Sequence, residues 1–199
     1  INKSVNVANS IFLNQQMNQF YGTNNIQYGT PQALPLPNVL NNANVANNIA
    51  IGQVVLNKLV KGVQNIAIGT DPLSNLNNGN NNIGIGYGAL FSLINTSTSV
   101  TNPYLTDSNV ALGSFALGQL STSTTNNYSN NNISIGNYCA SNIPGGQNNT
   151  FVGANVLSDV TTSSNFNTFV GANSGYNNIG GSSNIYLGQD AGYTGTSGG

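Results

Sequence analysis

Asn82-Ile83-Gly84-Ile85-Gly86 sets the architecture of this chain, because eight other stretches repeat its outline. Upstream lie Asn25-Ile26-Gln27-Tyr28-Gly29, Asn48-Ile49-Ala50-Ile51-Gly52 and Asn65-Ile66-Ala67-Ile68-Gly69. Downstream come Asn109-Val110-Ala111-Leu112-Gly113, Asn132-Ile133-Ser134-Ile135-Gly136, Asn149-Thr150-Phe151-Val152-Gly153, Asn167-Thr168-Phe169-Val170-Gly171 and Asn184-Ile185-Tyr186-Leu187-Gly188. Successive terminal glycines are 23, 17, 17, 27, 23, 17, 18 and 17 residues apart. The period is 17, and inserted residues stretch three of the copies. Self-similarity at a fixed period marks a repeat architecture.

Within each copy the two residues flanking the middle one are Ile, Val or Leu almost throughout. Such short β-branched alternation predicts a strand. The glycine that ends it permits a positive φ and turns the chain. A second pattern follows: two variable residues, a small one, then Leu or Gly, as in Gly86-Tyr87-Gly88-Ala89-Leu90 and Gly113-Ser114-Phe115-Ala116-Leu117. Each coil is therefore expected to hold two short strands joined by a glycine corner. Polar returns such as Gly145-Gly146-Gln147-Asn148 would close it. Coils stacked about 4.8 Å apart make an all-β parallel β-roll, or β-solenoid, with like residues in columns. The column Asn25, Asn48, Asn65, Asn82, Asn109, Asn132, Asn149, Asn167 and Asn184 then becomes a ladder of stacked amides. Gly29, Gly52, Gly69, Gly86, Gly113, Gly136, Gly153, Gly171 and Gly188 form the column of turns.

If Ile49 and Ile51 face the interior, the middle column faces out. That column is Ala50, Ala67, Gly84, Ala111, Ser134, Phe151, Phe169 and Tyr186. An outward stripe of small and then aromatic residues is expected to pack against sister chains, preferably around a threefold axis.

Residues 1–23 stand outside the repeat as an N-terminal arm, a lead-in or docking segment. Leu13, Met17 and Phe20 fit an amphipathic helix, while Ile11-Phe12-Leu13 fits a short strand equally well. The repeat body spans 24–193, with inserted loops at 30–47, 92–108 and 118–131, and 194–199 is expected to be a flexible tail. Pro31, Pro35 and Pro37 make the first loop an extended excursion, since proline lacks the donor a central strand needs. Insertions in repeat proteins often carry binding, which singles out Tyr104 and Tyr128.

Composition narrows the chemistry. Charged residues make up 4% of the chain, against roughly 25% in ordinary domains. Three lysines cannot neutralise a phosphate backbone, so no nucleic-acid partner is expected. No apolar run approaches a membrane span, and no membrane insertion is expected. The chain opens at Ile1 without a signal-like segment, which suggests a processed chain or part of a longer one. Cys139 occupies the column of Ala89 and Ala116, so it reads as a small core residue. Without histidine the usual general base is missing, and no enzyme activity is expected. Asp71 and Asp190 share a column but lie six coils apart, roughly 29 Å at about 4.8 Å per coil. Glycosidase carboxylates sit roughly 5–10 Å apart. No cofactor or metal site is expected. An ice-binding reading would need a regular threonine column, and only Thr150 and Thr168 occupy the first strand position.

Asn-Ile-Ala-Ile-Gly at 48–52 and 65–69, followed by two residues and a small one, resembles the head repeat of trimeric autotransporter adhesins. That resemblance implies a left-handed parallel β-roll assembled as a homotrimer, although the adhesin repeat is shorter than 17 residues. The longer form, with Asn-Asn before the strand and Ala-Leu after the glycine, is similar to repeats in tail-fibre and surface-fibre proteins of phages and giant viruses. The implied function is a structural fibre of a virion surface or tail. Its trimeric shaft or head would present a surface to a cell-surface receptor or glycan. The alternative is a microbial cell-surface adhesin or extracellular filament subunit, and both are extracellular.

Overall fold

Every Asn-to-Gly motif folds as one short strand. A computed structural model describes residues 25–29, 45–94, 106–120, 129–157, 165–177 and 181–193. In chain order the strands are β1 (Ile26–Gly29), β2 (Val45–Ala46), β3 (Ile49–Gln53), β4 (Gly62–Val63), β5 (Ile66–Thr70) and β6 (Ile83–Ile85). They continue with β7 (Val110–Leu112), β8 (Ile133–Ile135), β9 (Thr150–Val152), β10 (Thr168–Val170) and β11 (Ile185–Leu187). Nine of them form one sheet in the order β1-β3-β5-β6-β7-β8-β9-β10-β11. All eight pairings are parallel and in register, so Ile49, Ile66, Ile83 and Val110 lie in one file. A second sheet pairs β2 with β4, and among the described residues there is no helix. The chain is a parallel β-solenoid.

The expected second strand of each coil is a different structure. After the corner glycine, alternate residues take positive φ: Asp71 (59°) and Leu73 (51°), Phe115 (53°) and Leu117 (49°), Tyr138 (52°) and Ala140 (52°). A strand cannot contain left-handed residues in alternation. Stacking nevertheless satisfies this segment's amides. Leu73 N–H donates to the Ala89 carbonyl at 3.0 Å, Leu90 to Ala116 at 3.0 Å and Leu117 to Cys139 at 3.0 Å. The inter-coil bonds offset the local strain of the left-handed residues. The corner itself demands glycine. At Gly69 φ is +133°, and a Cβ there would sit 2.6 Å from the Gly86 carbonyl oxygen.

The asparagine column is the ladder the sequence suggests, and Asn109 shows its bonding in full. The backbone N–H and the Nδ2 of Asn109 both donate to Oδ1 of Asn82, each at 3.1 Å. The second Nδ2 proton reaches the Ser129 carbonyl at 2.6 Å. Oδ1 of Asn109 in turn accepts from the N–H and Nδ2 of Asn132 at 3.1 and 3.0 Å. A primary amide offers two donors and two acceptor positions, and all four are used. The same pattern links Asn25, Asn48, Asn65 and Asn82 above it. It continues through Asn149, Asn167 and Asn184 below. These side chains are all buried.

The coil also claims residues assigned to loops from sequence. Val45 and Ala46 form β2, Leu93 and Leu120 are fully buried, and Thr106 Oγ1 donates to the Asn78 carbonyl at 2.7 Å. The insertions are correspondingly narrower than 30–47, 92–108 and 118–131. The arm at 1–23, most of each loop, Tyr104, Tyr128 and the tail at 194–199 lie outside the described residues.

Candidate functional site

The strands face the opposite way from the sequence expectation. Ala50, Ala67, Ala111, Ser134, Phe151 and Phe169 have no exposed surface, Gly84 is buried, and Tyr186 packs against the core. The middle column therefore lines the inside of the coil and cannot be an intersubunit surface. The reason is volume. The left-handed segment buries Leu56, Leu73, Leu90, Leu117 and Leu157; Leu59, Leu76, Leu93 and Leu120 follow the first four by three residues, and Ile143 follows Ala140 by the same step. On the coils of Ala50, Ala67, Gly84 and Ala111 these two leucines already fill a thin interior at native density, leaving room opposite for little more than a methyl group.

The last two coils obey the same constraint by exchange, whereas Phe151 shares its coil with the buried Leu157. Where Phe169 points inward, the leucine column holds Gly175, and a Cβ there would lie 2.7 Å from the Phe169 ring. Tyr186 and Gly192 repeat the swap, with that Cβ 2.5 Å from the tyrosine ring. Phe151, Phe169 and Tyr186 stack down the interior with centroids 5.6 and 4.7 Å apart. Ser134 donates to the Cys139 carbonyl at 2.8 Å. Cys139 is the small core residue expected, and burial pushes its thiol up to about 11.

Inverting the strands places their larger side chains outside. Ile49, Ile51, Ile66, Ile68, Ile83, Val110, Leu112 and Val152 are half-buried, while Ile85, Ile133, Ile135 and Val170 are exposed. Ile185 and Leu187 on the last strand are 71% and 67% exposed. Two files of mostly aliphatic side chains, broken by Tyr28, Thr150 and Thr168, thus run down the outer face of nine strands. Eight steps of about 4.8 Å make this stripe roughly 38 Å long. At a width of about 10 Å it covers roughly 400 Å², within the range of about 300–600 Å² of a monomer's largest apolar patch, which is often functional.

Both borders of the stripe are uncharged and mostly polar. Before the ladder asparagines stand Asn47, Gln64, Asn81, Ser108, Asn131, Asn148 and Ser183, with the exposed Phe166 interrupting the row before Asn167. Beyond the corner glycines stand Gln53, Thr70, Ser114, Asn137 and Gln189, with Tyr87, Ala154 and Ala172 among them. An apolar strip between polar rims is the anatomy of a protein–protein contact. No known protein family, curated protein or solved structure matches this chain. Its function has to be read from this geometry.

Two further features lie off the stripe. Tyr87, Phe115 and Tyr138 on successive coils form an aromatic cluster, with centroids 5.0 and 5.4 Å apart. Tyr87 and Tyr138 remain about half exposed. Sequence reasoning looked for binding aromatics in the loops and missed this cluster, although the shared position of Phe115 and Tyr138 two residues past the glycine signals it. Asp107 replaces an amide in a second, outer ladder and accepts from the backbone and side chain of Asn80 at 2.8 and 3.2 Å. Burial raises its carboxyl above the usual value, outweighing those two bonds. Asp71 and Asp190 both occupy left-handed turns, on coils separated by five others. Among the described residues no group of three or more His, Cys, Asp or Glu is placed to hold a metal.

Proposed function

We propose that this chain is a structural fibre module whose copies assemble through the outward aliphatic stripe, three of them closing around an axis parallel to the amide ladder. The observation that carries the reading is the stripe itself: two mostly aliphatic files on nine stacked strands, bordered by uncharged and mostly polar rims. A face without charge meets its own copy without like-charge repulsion. Two copies face to face would bury roughly 800 Å² in total, below the standard size of a stable contact. Around a threefold axis each stripe divides the same area between two neighbours, and the choice of three copies rests on the likeness of the repeat to trimeric fibre repeats. Parallel register would again lay like residue against like.

The module belongs, in this reading, to a virion surface or tail fibre and acts outside the cell. A microbial adhesin or extracellular filament subunit is the alternative. The exposed cluster of Tyr87, Phe115 and Tyr138 favours a recognition role for the flank, because exposed aromatic rings suit contact with a glycan or protein receptor. Sedimentation equilibrium of the wild-type chain and of Ile85→Asp tests the assembly. The expected result is a trimer for wild type and a monomer with unchanged far-UV circular dichroism for the variant. A wild-type chain that sediments as a monomer at tens of micromolar would overturn the proposal. An open polymer would favour the filament alternative.

A further inference from the structure

The outward face repeats so evenly that self-assembly meets a register problem. Sliding one copy by a single coil, roughly 4.8 Å, puts Ile66 where Ile49 was and Ile68 where Ile51 was. A sister copy would then meet almost the same surface. Along the two outward files only three side chains carry a polar atom. Tyr28 lies at one end, and Thr150 and Thr168 lie on the adjacent strands β9 and β10. Among the described residues neither threonine hydroxyl has a hydrogen-bond partner. The same two strands carry Val152 and Val170, where the other described strands have Ile, Leu or Tyr. The face is therefore shallower at this level, and sister backbones can approach more closely there.

We propose that Thr150 and Thr168 set the register of self-assembly by pairing with their own counterparts in sister copies. This rests on the assembly proposed above. A hydroxyl donates once and also accepts. Three of them around a threefold axis close a ring in which each donates to the next. A slip of one coil sets Thr150 against Ile133 or Thr168, and Thr168 against Thr150 or Ile185, which leaves hydroxyls facing aliphatic side chains. A slip of two coils leaves all of them unpaired. Single polar residues on an apolar seam specify register in coiled coils by the same cost.

The experiment mixes differently tagged wild-type and T150I/T168I chains, dissociates and reassembles them, and counts species by native mass spectrometry. T150I/T168I alone is expected to assemble, because its stripe is more apolar. Mixed species are expected at least tenfold below the statistical proportion, since each unpaired buried hydroxyl weakens association by roughly fivefold to a hundredfold. T150S/T168S keeps the hydroxyls and is expected to mix freely with wild type. Statistical mixing of wild type with T150I/T168I would overturn the proposal. Exclusion of T150S/T168S as strong as that of the isoleucine variant would overturn it too. A monomeric wild type would overturn the assembly and the register readings together, whereas an assembled wild type that mixes statistically removes this one alone.

Discussion

Asn109→Ala tests the amide ladder at its centre. The substitution removes one carboxamide, strips a partner from three further buried groups and leaves the Asn82 Oδ1 with the backbone N–H of residue 109 as its one donor from that rung. The Ser129 carbonyl loses a donor that now sits 2.6 Å away, and the Asn132 N–H loses its acceptor at 3.1 Å. The Asn132 Nδ2 loses one of its two acceptors while keeping the Gly146 carbonyl at 2.8 Å. Each orphaned buried group costs about 1–3 kcal/mol, so the loss is about 3–9 kcal/mol, with the low end applying if a water fills the gap. Asn75→Ala is the control. Asn75 also bridges coils, accepting from Lys58 Nζ at 2.6 Å and donating to the Phe91 carbonyl at 2.9 Å, but at the exposed surface. Its loss should stay within about 0.5 kcal/mol. Urea denaturation of both variants and wild type, at matched protein concentration so that self-association contributes equally, gives the two differences. If Asn109→Ala costs less than about 1 kcal/mol and falls in with the control, the buried ladder is not what holds the coils in register.

Two further tests address the interior and the outer ladder. Phe169→Ala should cost about 3–5 kcal/mol. Adding Gly175→Leu, which recreates the Ala111/Leu117 arrangement of an earlier coil, should recover much of that loss by thermal denaturation. Recovery of nothing would contradict the volume exchange. Asp107→Asn addresses pH. Because burial raises the Asp107 carboxyl in the folded chain, its contribution is fully present below the unfolded value of 3.8 and is lost as pH rises through the folded value. At pH 7 the variant should therefore be the more stable, by less than about 1 kcal/mol for a half-exposed group, and the gap should close on acidification. Melting curves from pH 3 to 7 check the sign, and a gap that widens in acid would refute it.

The period of 17, the first strand of each coil, its pairing register and the amide ladder were legible in the sequence, whereas the second strand expected after the corner glycine was not there. An Asn and a Gly bracketing the same short alternation can stack only like on like, and a buried amide satisfies itself only against an identical neighbour. Which face of the strand looks inward was not legible. Ile49-Ala50-Ile51 is apolar on both faces, and alternation says only that the faces differ. The decision came from the opposite wall of the coil. There residues with positive φ such as Leu73 and Leu117, conformations no propensity assigns to leucine, turn their side chains into the space and leave room for Ala67 and Ala111. Tertiary packing thus moved the isoleucines to the surface, because the interior volume was already taken.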